Sequence, residues 1–383
     1  MTSKLDTLCA YAKGKIAVEA LNAQTYISTE NMMPNKGGIA AASSLPSVQY
    51  TQQYLKGDVL VSNIRPYFKK IWMAEYDGGC SNDVLVFRAN SSCDPTFLYY
   101  VLANDVFFDY ATATSKGTKM PRGDKTAIMQ YDVPNYDMDT QLRIGKLLRS
   151  LDDRIATNKK INDNLQQQAQ AIYRERFERV PSEDLPSGWR VVSLGEVATI
   201  SNKSFNPLKE TERMLEHYSI PAFDEARFPV FELSTSIKSN KFVIDASCFM
   251  ISKLNPTTKR VWKPYCLTEN AVCSTEFIVY KAKDESITDF LYSVIDSNSF
   301  SDFMCSHVTG STGSRQRTTP SDTLSYELIL PSEDELAEFQ SLVSPMYAQI
   351  RINAIENDKL KRLRDSLLPK LMSGELDVSD IQL

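Results

Sequence analysis

Two stretches of the chain carry apolar residues at alternating steps of four and three, the spacing of one buried face on a long helix. The first of these two seams comprises Ile144, Leu148, Leu151, Ile155, Asn158, Asn162, Leu165, Ala169 and Ile172. The second seam comprises Phe339, Val343, Met346, Ile350, Asn353, Asn357, Leu360, Arg364 and Leu367. It follows the first at a constant offset of 195 residues. The pattern predicts one helix over residues 138–180 and another over residues 332–373.

Polar residues occupy both seams at matching places. The charged Arg364 is the one position at which the two seams do not superpose, because the first seam has an alanine there. The amide positions are Asn158, Asn162, Asn353 and Asn357. A buried amide without a partner costs roughly 1 to 3 kcal/mol. These asparagines therefore either bond across a helix pair and fix its register or lie at a solvated edge, and the sequence leaves both interpretations open.

Local signals mark the ends of the second helix. Ser332 and Glu335 have the spacing of a capping box at its start, and Gly374 is a suitable C-terminal stop. Pro345 and Pro369 lie inside the helix, where the proline ring removes a backbone hydrogen bond. We therefore expect a kink or a break at each proline.

Outside the helices, three further segments occur twice along the chain in the same order, which indicates a tandem duplication. The matching segments are SNIRPYFKKIW (62–72) with SKLNPTTKRVW (252–262), CSNDVLVFRA (80–89) with CSTEFIVYKA (273–282), and FLYYVLANDVFFDY (97–110) with FLYSVIDSNSFSDF (290–303). The runs VLVFRA and FIVYKA predict short strands, whereas the third segment has helical apolar spacing. The sequence therefore predicts two mixed α/β domains, over residues 1–137 and 181–331, and a tail over 374–383.

The length of the two helices indicates how they pack. A helix of about 36 residues is roughly 55 Å long, which exceeds what one domain of ordinary size covers. We therefore expect the helices to cover each other. Antiparallel pairing brings the end of the chain back beside the first domain. The predicted fold class is α+β, with two tandem mixed α/β domains separated by two long helices in an antiparallel coiled coil, and with an internal pseudo-twofold repeat.

The composition of the chain narrows the functions and compartments that it could have. The 383 residues carry a formal net charge of -5, which argues against a protein that coats nucleic acid indiscriminately. The seven cysteines form no CxxC pair, and His217 and His307 are the only histidines that could join them, so we expect no metal site. An odd cysteine count favours buried, apolar cysteines in a reducing compartment. No signal peptide or bilayer-spanning apolar run is evident, and the expected compartment is the cytoplasm.

The sequence offers no recognisable catalytic pattern. The glycines of residues 310–313 lack the lysine and the spacing of a phosphate loop. The Asn-Pro dipeptide at 255–256 is not the Asn-Pro-Pro-aromatic run of amino-methyltransferases, and no GxGxxG loop accompanies it. Inspection also finds no HExxH, GxSxG or clustered nuclease carboxylates. We therefore expect no active site, and neither a cofactor nor a metal bound by this chain.

Basic and aromatic residues gather instead in loops that recur in both copies. Guanidinium groups can hold guanine edges bidentately, while lysines and glycine-loop amides hold phosphates. Any single charge is more often a solvated surface residue, but recurrence at equivalent places against an acidic background favours local DNA contacts. The DNA-contact candidates are Arg65, Tyr67, Lys69, Lys70, Lys116, Lys119, Arg122, Lys253, Lys259, Arg260, Arg315 and Arg317.

Several segments resemble the specificity subunits (HsdS) of type I restriction-modification systems. They are LRIGKLLRSLDDRIATNKKINDNLQQQAQAIYRERF (142–177), LPSGWRVVSLGEVA (185–198) and LRDSLLPKLMSGEL (363–376). The loops SKGTKMPRGD (115–124) and GSTGSRQRTTPSD (310–322) are similar to the recognition-domain pattern of the family. The resemblance extends along nearly the whole chain, and Pro345 is a departure that bears on the straightness of the second helix.

The resemblance implies two target recognition domains, each reading one half of a bipartite double-stranded DNA site, held apart by a coiled-coil spacer. It also implies assembly with two methyltransferase subunits, which use S-adenosylmethionine, and with ATP-driven restriction subunits that translocate and cleave. The chain itself would be a non-catalytic reader, and the helix length would act as a ruler for the gap between half-sites.

Two other classes of function stay open on the sequence alone. A stand-alone methyltransferase or nuclease would modify or cut DNA without partner subunits. A coiled-coil adaptor would bind protein only, and would fail to bind DNA even with a methyltransferase partner present.

Overall fold

The computed structural model describes residues 2–180, 184–209, 211–309 and 316–378. These residues form two compact units. The first unit contains the chain up to Ile155 together with the segment from Lys359 onward, and the second unit contains residues 156–358. Each unit therefore includes one globular part and a portion of each long helix.

The strands of the first unit form three sheets. Their bounds are β1 (Thr2–Lys4), β2 (Cys9–Tyr11), β3 (Lys15–Ala17), β4 (Tyr26–Ile27), β5 (Tyr50–Tyr54), β6 (Val59–Ser62), β7 (Ile71–Met73), β8 (Gly78–Cys80), β9 (Val84–Ala89) and β10 (Asp132–Pro134). The strand orders are β1-β10, β2-β9-β6-β7 and β3-β5-β8-β4. The predicted strand VLVFRA is β9, whose first four residues are buried.

The helices of the first unit pack on these sheets. Their bounds are α1 (Pro95–Ala103), α2 (Asp105–Ala113), α3 (Lys125–Met129) and the first part of α4 (Met138–Tyr173). The predicted helical stretch over 97–110 is two helices, because the side chain of Asn104 accepts a hydrogen bond from the Val106 amide and starts a new helix. The fully buried Phe97 and Phe107 join Phe87 of β9 in the core of the unit.

The strands of the second unit are arranged in a corresponding way. Their bounds are β11 (Arg190–Ser193), β12 (Ala198–Ile200), β13 (Ser204–Phe205), β14 (Met214–Tyr218), β15 (Val230–Leu233), β16 (Lys241–Val243), β17 (Cys248–Ser252), β18 (Val261–Trp262), β19 (Ala271–Ser274), β20 (Phe277–Ala282), β21 (Val308–Thr309), β22 (Arg317–Thr318) and β23 (Glu327–Leu330). The orders are β11-β23, β12-β20-β17-β18, β13-β16-β19-β14-β15 and β21-β22. The order β12-β20-β17-β18 matches β2-β9-β6-β7 strand by strand.

The helices of the second unit cover its four-stranded sheet. Their bounds are α5 (Leu194–Val197), α6 (Ile220–Ala226), α7 (Thr288–Ile295), α8 (Asn298–Ser306) and most of α9 (Glu333–Ser373). Phe290 of α7, Phe339 of α9 and Tyr173 of α4 pack together at ring-centroid distances of 5.9 to 6.4 Å. The two long helices thus contribute directly to the core of this unit.

The two seams lie on the buried side of the long helices. All eighteen seam positions are buried or half-buried, and none is exposed. The Ser332 hydroxyl lies 3.3 Å from a carboxylate oxygen of Glu335 at the start of α9. At its end Gly374 adopts a left-handed φ of 79°, and the Glu375 amide donates to the Lys370 carbonyl at 3.0 Å. Gly374 therefore ends the helix as expected.

Neither Pro345 nor Pro369 breaks the helix, because α9 runs through both residues from Glu333 to Ser373, and a kink at each proline stays a prediction. Each proline removes one backbone donor from the helix. Both prolines and the residues four positions before them, Ser341 and Asp365, are exposed. Water can therefore satisfy the carbonyl that each proline leaves without a donor, and the helix tolerates both rings.

The mixed helix-and-sheet class with long helices is confirmed. All seven cysteines are free thiols, and five of them are buried. Among the helices of the described residues, none is both long and apolar enough to cross a membrane.

Candidate nucleic-acid interface

In the first unit the backbone joins two cationic loops, residues 62–70 and 115–124, which we call the first loop pair. The Arg65 amide donates to the carbonyl of Pro121 at 2.8 Å, and the Gly123 amide donates to the carbonyl of Asn63 at 3.1 Å. Lys116 and Arg122 exchange both backbone hydrogen bonds, at 2.8 and 2.9 Å. The two loops that carry the predicted candidates of this unit therefore lie side by side.

Arg65 occupies the centre of the first loop pair. Its backbone is left-handed, with a φ of 50°, which is uncommon for a residue with a side chain and here is held by the contact to Pro121. Its guanidinium lies 6.0 Å from the Phe68 ring, and its buried Nε atom has no hydrogen-bond partner among the described residues. Tyr67 and Phe68 are exposed beside it and contact each other edge to face at 4.8 Å.

The two lysines after Phe68 are engaged within the protein. Lys69 pairs with Asp105 at 3.0 Å, and Lys36 pairs with the same carboxylate at 2.8 Å. Burial would raise the pKa of Asp105, but the hydrogen bonds from the two lysines lower it below its ordinary value. Lys70 donates to the Thr29 carbonyl at 2.6 Å, and burial lowers the pKa of its ammonium group.

The second loop of the pair contains two ion pairs. Lys116 contacts Asp124 at 2.5 Å, and this hydrogen bond is the largest cause that lowers the pKa of the Asp124 carboxyl. Arg122 contacts Asp83 through Nε at 3.2 Å and through Nη2 at 3.4 Å. Lys119 is exposed at the tip of the loop.

The second unit joins its corresponding loops, residues 252–260 and 316–318, in the same manner, and we call them the second loop pair. The Asn255 amide donates to the carbonyl of Gln316 at 2.9 Å, and the Thr318 amide donates to the carbonyl of Lys253 at 3.2 Å. Asn255 has a left-handed φ of 49° and occupies the place that Arg65 has in the first loop pair. Arg315 lies outside the described residues.

The cations of the second loop pair also contact acidic residues. Arg317 makes two contacts with Glu276, at 2.9 and 3.0 Å. Arg260 is paired with Asp224 at 2.6 and 2.9 Å, and only 14% of its side chain is exposed.

Lys259 belongs to the second loop pair, but its side chain is engaged with Asp296. Its ammonium donates to the Asp296 carbonyl at 2.6 Å, within a cavity of about 650 Å³ inside the second unit. Burial raises the pKa of the Asp296 carboxyl, and the nearby Lys259 opposes that change. Among the described residues, no group of three or more His, Cys, Asp or Glu residues could hold a metal ion.

Two carboxylates at the surface were missed by the sequence interpretation, namely Asp83 and Glu276. Both occupy the same place in the repeated segments CSNDVLVFRA and CSTEFIVYKA. The repeat could have identified them, because it retains an acidic residue just before each core strand. In the structure each of them pairs with an arginine of the loop pair, Arg122 or Arg317.

The seam asparagines of the second unit are bonded across the helices. Asn158 is 1% exposed, and its Nδ2 atom donates to Oδ1 of Asn357 at 3.0 Å and to the Glu356 carboxylate at 2.8 Å. A buried amide that finds such partners avoids the desolvation cost. Of the two interpretations, these contacts favour bonding between helices over a solvated edge.

The next seam level repeats this arrangement. Asn353 is 3% exposed and donates to Oδ1 of Asn162 at 2.8 Å, while Asn162 donates to the carbonyl of Ile350 at 3.2 Å. Asn158 meets Asn357, whereas the later Asn162 meets the earlier Asn353. Within this unit the contacts therefore run in opposite directions along α4 and α9.

The first unit has its own contacts between the long helices. Arg364 donates to Asp152 at 2.5 Å, and Asp152 also accepts the Tyr100 hydroxyl at 2.7 Å. Tyr136, two residues before α4 begins, donates its hydroxyl to the carbonyl of Leu371 on α9 at 2.7 Å. Arg364, the one charged seam position, is therefore accommodated by a carboxylate on the facing helix.

Comparisons with known proteins agree on one family. Residues 1–167 match the family model described as type I restriction modification DNA specificity domain. The MjaIX type I restriction enzyme specificity subunit of Methanocaldococcus jannaschii is 24% identical over 74% of this chain and 70% of its own length. The HindI type I restriction enzyme specificity subunit of Haemophilus influenzae is 23% identical over 92% of this chain and 94% of its own length.

A solved structure shares the fold. The crystal structure of a type I restriction-modification S subunit from M. genitalium superposes with a TM-score of 0.61 and 16% identity, over 97% of this chain and 96% of that chain. At this identity the likeness concerns the arrangement of helices and sheets.

Proposed function

This chain is a relative of the specificity subunits of type I restriction enzymes, and we propose that it recognises a two-part DNA sequence on behalf of partner subunits. One observation carries the proposal. Each of the two units presents a pair of cationic loops joined through the backbone, in an otherwise acidic chain. A local cationic surface suits sequence reading in a groove better than general coating of nucleic acid.

In this proposal, target recognition domains over 1–137 and 181–331 each read one half-site. The spacer helices, 138–180 and 332–373, form an antiparallel coiled coil, and the two halves form a pseudo-twofold repeat. The matching strand orders support the repeat. The opposite direction of the contacts between α4 and α9 within the second unit supports antiparallel pairing. In the first unit Tyr136, just before α4, meets Leu371 while the later Asp152 meets the earlier Arg364, which is the same sense.

The residues proposed to contact DNA differ in how readily they could do so. Tyr67, Lys119 and Arg122 are exposed, and Arg65 lies beside them. Lys70 and Lys259 contribute least, because their ammonium groups already donate to backbone carbonyls inside their own units. The remaining candidates are Lys69, Lys116, Lys253, Arg260, Arg315 and Arg317.

The chemistry is proposed to reside in the partners. Two methyltransferase subunits would use S-adenosylmethionine, and restriction subunits would use ATP, while this chain binds no cofactor or metal and has no active site. The complex would act in the cytoplasm on double-stranded DNA, without a membrane partner.

Mapping methylated adenines in DNA from cells that carry the complete system tests the function directly. We expect an interrupted two-part motif that disappears when this chain is deleted. Methylation or cleavage by the purified chain alone would instead establish a stand-alone enzyme. Failure to bind DNA in the presence of the methyltransferase partner would establish an adaptor.

A domain exchange tests whether the two halves read independently. Replacing residues 1–137 with the first domain of another specificity subunit should change one half of the methylated motif and leave the other half intact. A change in both halves would contradict independent reading.

A further inference from the structure

Each loop pair contains an arginine held by a carboxylate from outside the pair. In the first unit Asp83 contacts Arg122, and in the second unit Glu276 contacts Arg317. Both pairs use the Nε and Nη2 atoms of the guanidinium. The same contact therefore occurs at equivalent places in two separately folded units.

Two hydrogen bonds hold the backbone of Asp83 in place. The Asp83 amide donates to the Ser81 hydroxyl at 3.3 Å, and its carbonyl accepts from the Asn63 amide at 2.8 Å. It directly precedes the buried strand β9. Its carboxylate therefore extends from a fixed point at the start of β9.

Glu276 is held in the same way. Its amide donates to the Ser274 hydroxyl at 3.2 Å, and its carbonyl accepts from the Lys253 amide at 2.9 Å. It directly precedes the buried strand β20. Two independent copies thus retain the acid, the serine that orders it and the backbone contact to the adjacent loop.

Stability alone is a weak reason for these contacts. The side chains of Arg122 and Asp83 are 55% and 36% exposed, and ion pairs this exposed contribute little to folding. A carboxylate beside a DNA-binding surface also repels phosphates. An acid in this place is useful, however, if it fixes the orientation of an arginine, since a planar guanidinium binds paired acceptors only when it is correctly aimed.

We propose that Asp83 and Glu276 are positioning residues that hold Arg122 and Arg317 for bidentate contact with paired acceptor atoms on DNA. The acceptors are guanine O6 and N7 or two phosphate oxygens, since both present the same geometry to a guanidinium. This inference rests on the proposed function. It assigns one positioning acid to each half-site.

The test uses the full chain assembled with the methyltransferase subunits of its own system, on a duplex that carries the motif mapped for the wild type. Asp83→Asn should weaken binding roughly tenfold, because a charge-assisted contact loses its orientation. In an Arg122→Ala background the same substitution should have no further effect. Asp83→Glu should restore binding, since the second unit uses glutamate at this place.

Matched controls separate positioning from folding. Asp132→Asn removes the carboxylate of another exposed pair in the same unit, with Lys4 at 2.8 Å, and should leave DNA affinity unchanged. Thermal unfolding of Asp83→Asn should match that of the wild type. Glu276→Gln should affect the other half-site only.

The way in which Asp83→Asn weakens DNA binding identifies the acceptor that Arg122 contacts. If Arg122 reads guanine, Asp83→Asn relaxes base preference at one position of one half-site. If Arg122 holds phosphate, affinity falls equally for all sequences and the salt dependence becomes shallower.

Three results would overturn the inference: unchanged binding by Asp83→Asn, tighter binding by it, or a loss that persists in the Arg122→Ala background. Tighter binding would mean that the acid merely competes with DNA. Absence of any two-part motif for the wild type would instead overturn the proposed function, and this inference with it.

Discussion

Asn353 donates a hydrogen bond from Nδ2 to Oδ1 of Asn162 at 2.8 Å, so that an amide on α9 satisfies an amide on α4. Gln349 in turn donates to Oδ1 of Asn353 at 2.7 Å. Truncation at position 353 therefore leaves the half-buried Oδ1 of Asn162 without its donor, whereas the exposed Gln349 can bond water instead.

We expect Asn353→Ala to lower the free energy of unfolding by about 1 to 3 kcal/mol, because it removes a buried side chain and leaves the half-buried Oδ1 of Asn162 without its donor. Urea unfolding followed by tryptophan fluorescence measures this loss. Gln168→Ala, on an exposed part of α4, is the control and should change stability by no more than about 0.5 kcal/mol. Equal effects of the two substitutions would mean that the asparagine contact contributes nothing to the free energy of unfolding.

Leucine at all four asparagine positions tests the register role separately. Apolar replacement of both partners removes the desolvation penalty, so stability should be retained while the register is no longer specified. We expect the methylated motif to lose its single spacer length. A variant that still methylates one motif with the original spacer would show that the asparagines do not set the register.

The contact between Arg364 and Asp152 predicts a strong pairwise coupling. Their side chains are only 19% and 25% exposed. Removing Asp152 leaves Arg364 with the more exposed carboxylate of Asp365 as its partner, and leaves the buried Tyr100 hydroxyl without its acceptor. Asp152→Ala should therefore destabilise the protein by roughly 1 to 3 kcal/mol. A double-mutant cycle with Arg364→Ala should return a coupling of about 1 to 3 kcal/mol.

Asp139→Ala is the matched control for that cycle, because the Asp139 side chain is 75% exposed where it pairs with Arg143 on α4. It should cost no more than about 0.5 kcal/mol. Additive losses at Asp152 and Arg364 would contradict the coupling.

The proposed ruler makes a prediction about spacing. Four residues inserted after Lys160 and four after Ile355, the matching positions, lengthen each helix by about 6 Å. DNA rises about 3.4 Å per base pair, so the unspecified gap should grow by one or two base pairs. Insertion into one helix alone should disrupt pairing and abolish methylation. An unaltered gap after the double insertion would refute the ruler.

Lowering the pH should reduce the folding stability of the second unit through His217. Burial lowers the pKa of this imidazole below its ordinary value of 6.5, and although its contact with Glu232 raises the pKa, burial prevails and the adjacent Lys241 also lowers it. As the pH falls through 6.5, His217 therefore binds a proton more readily in the unfolded chain than in the folded protein. The free energy of unfolding falls with the pH for this reason.

Urea midpoints measured between about pH 7.5 and pH 5.5 should decrease in the wild type. The decrease should be smaller in His217→Asn, whose amide can still donate to Glu232. A decrease of the same size in that variant would exclude His217 as its source.

The sequence predicted the long helices and the core strands well, because burial leaves a periodic trace in the residues themselves. Every seam position is at least half-buried, and VLVFRA and FIVYKA are the strands β9 and β20. The pairing of surface cations could not be predicted in this way. Whether Lys259 faces a groove or Asp296 depends on the path of a loop, and a long flexible side chain leaves no periodic signal.

The first unit is assembled from the two extremes of the sequence. Leu368, Leu371 and Val378 are buried in the same core as Leu5 and Phe97. On the ribosome, the early residues therefore emerge long before the segment that completes their packing. Until then an apolar surface stays uncovered, so a nascent chain halted before residue 359 should be sensitive to protease and should require chaperone protection.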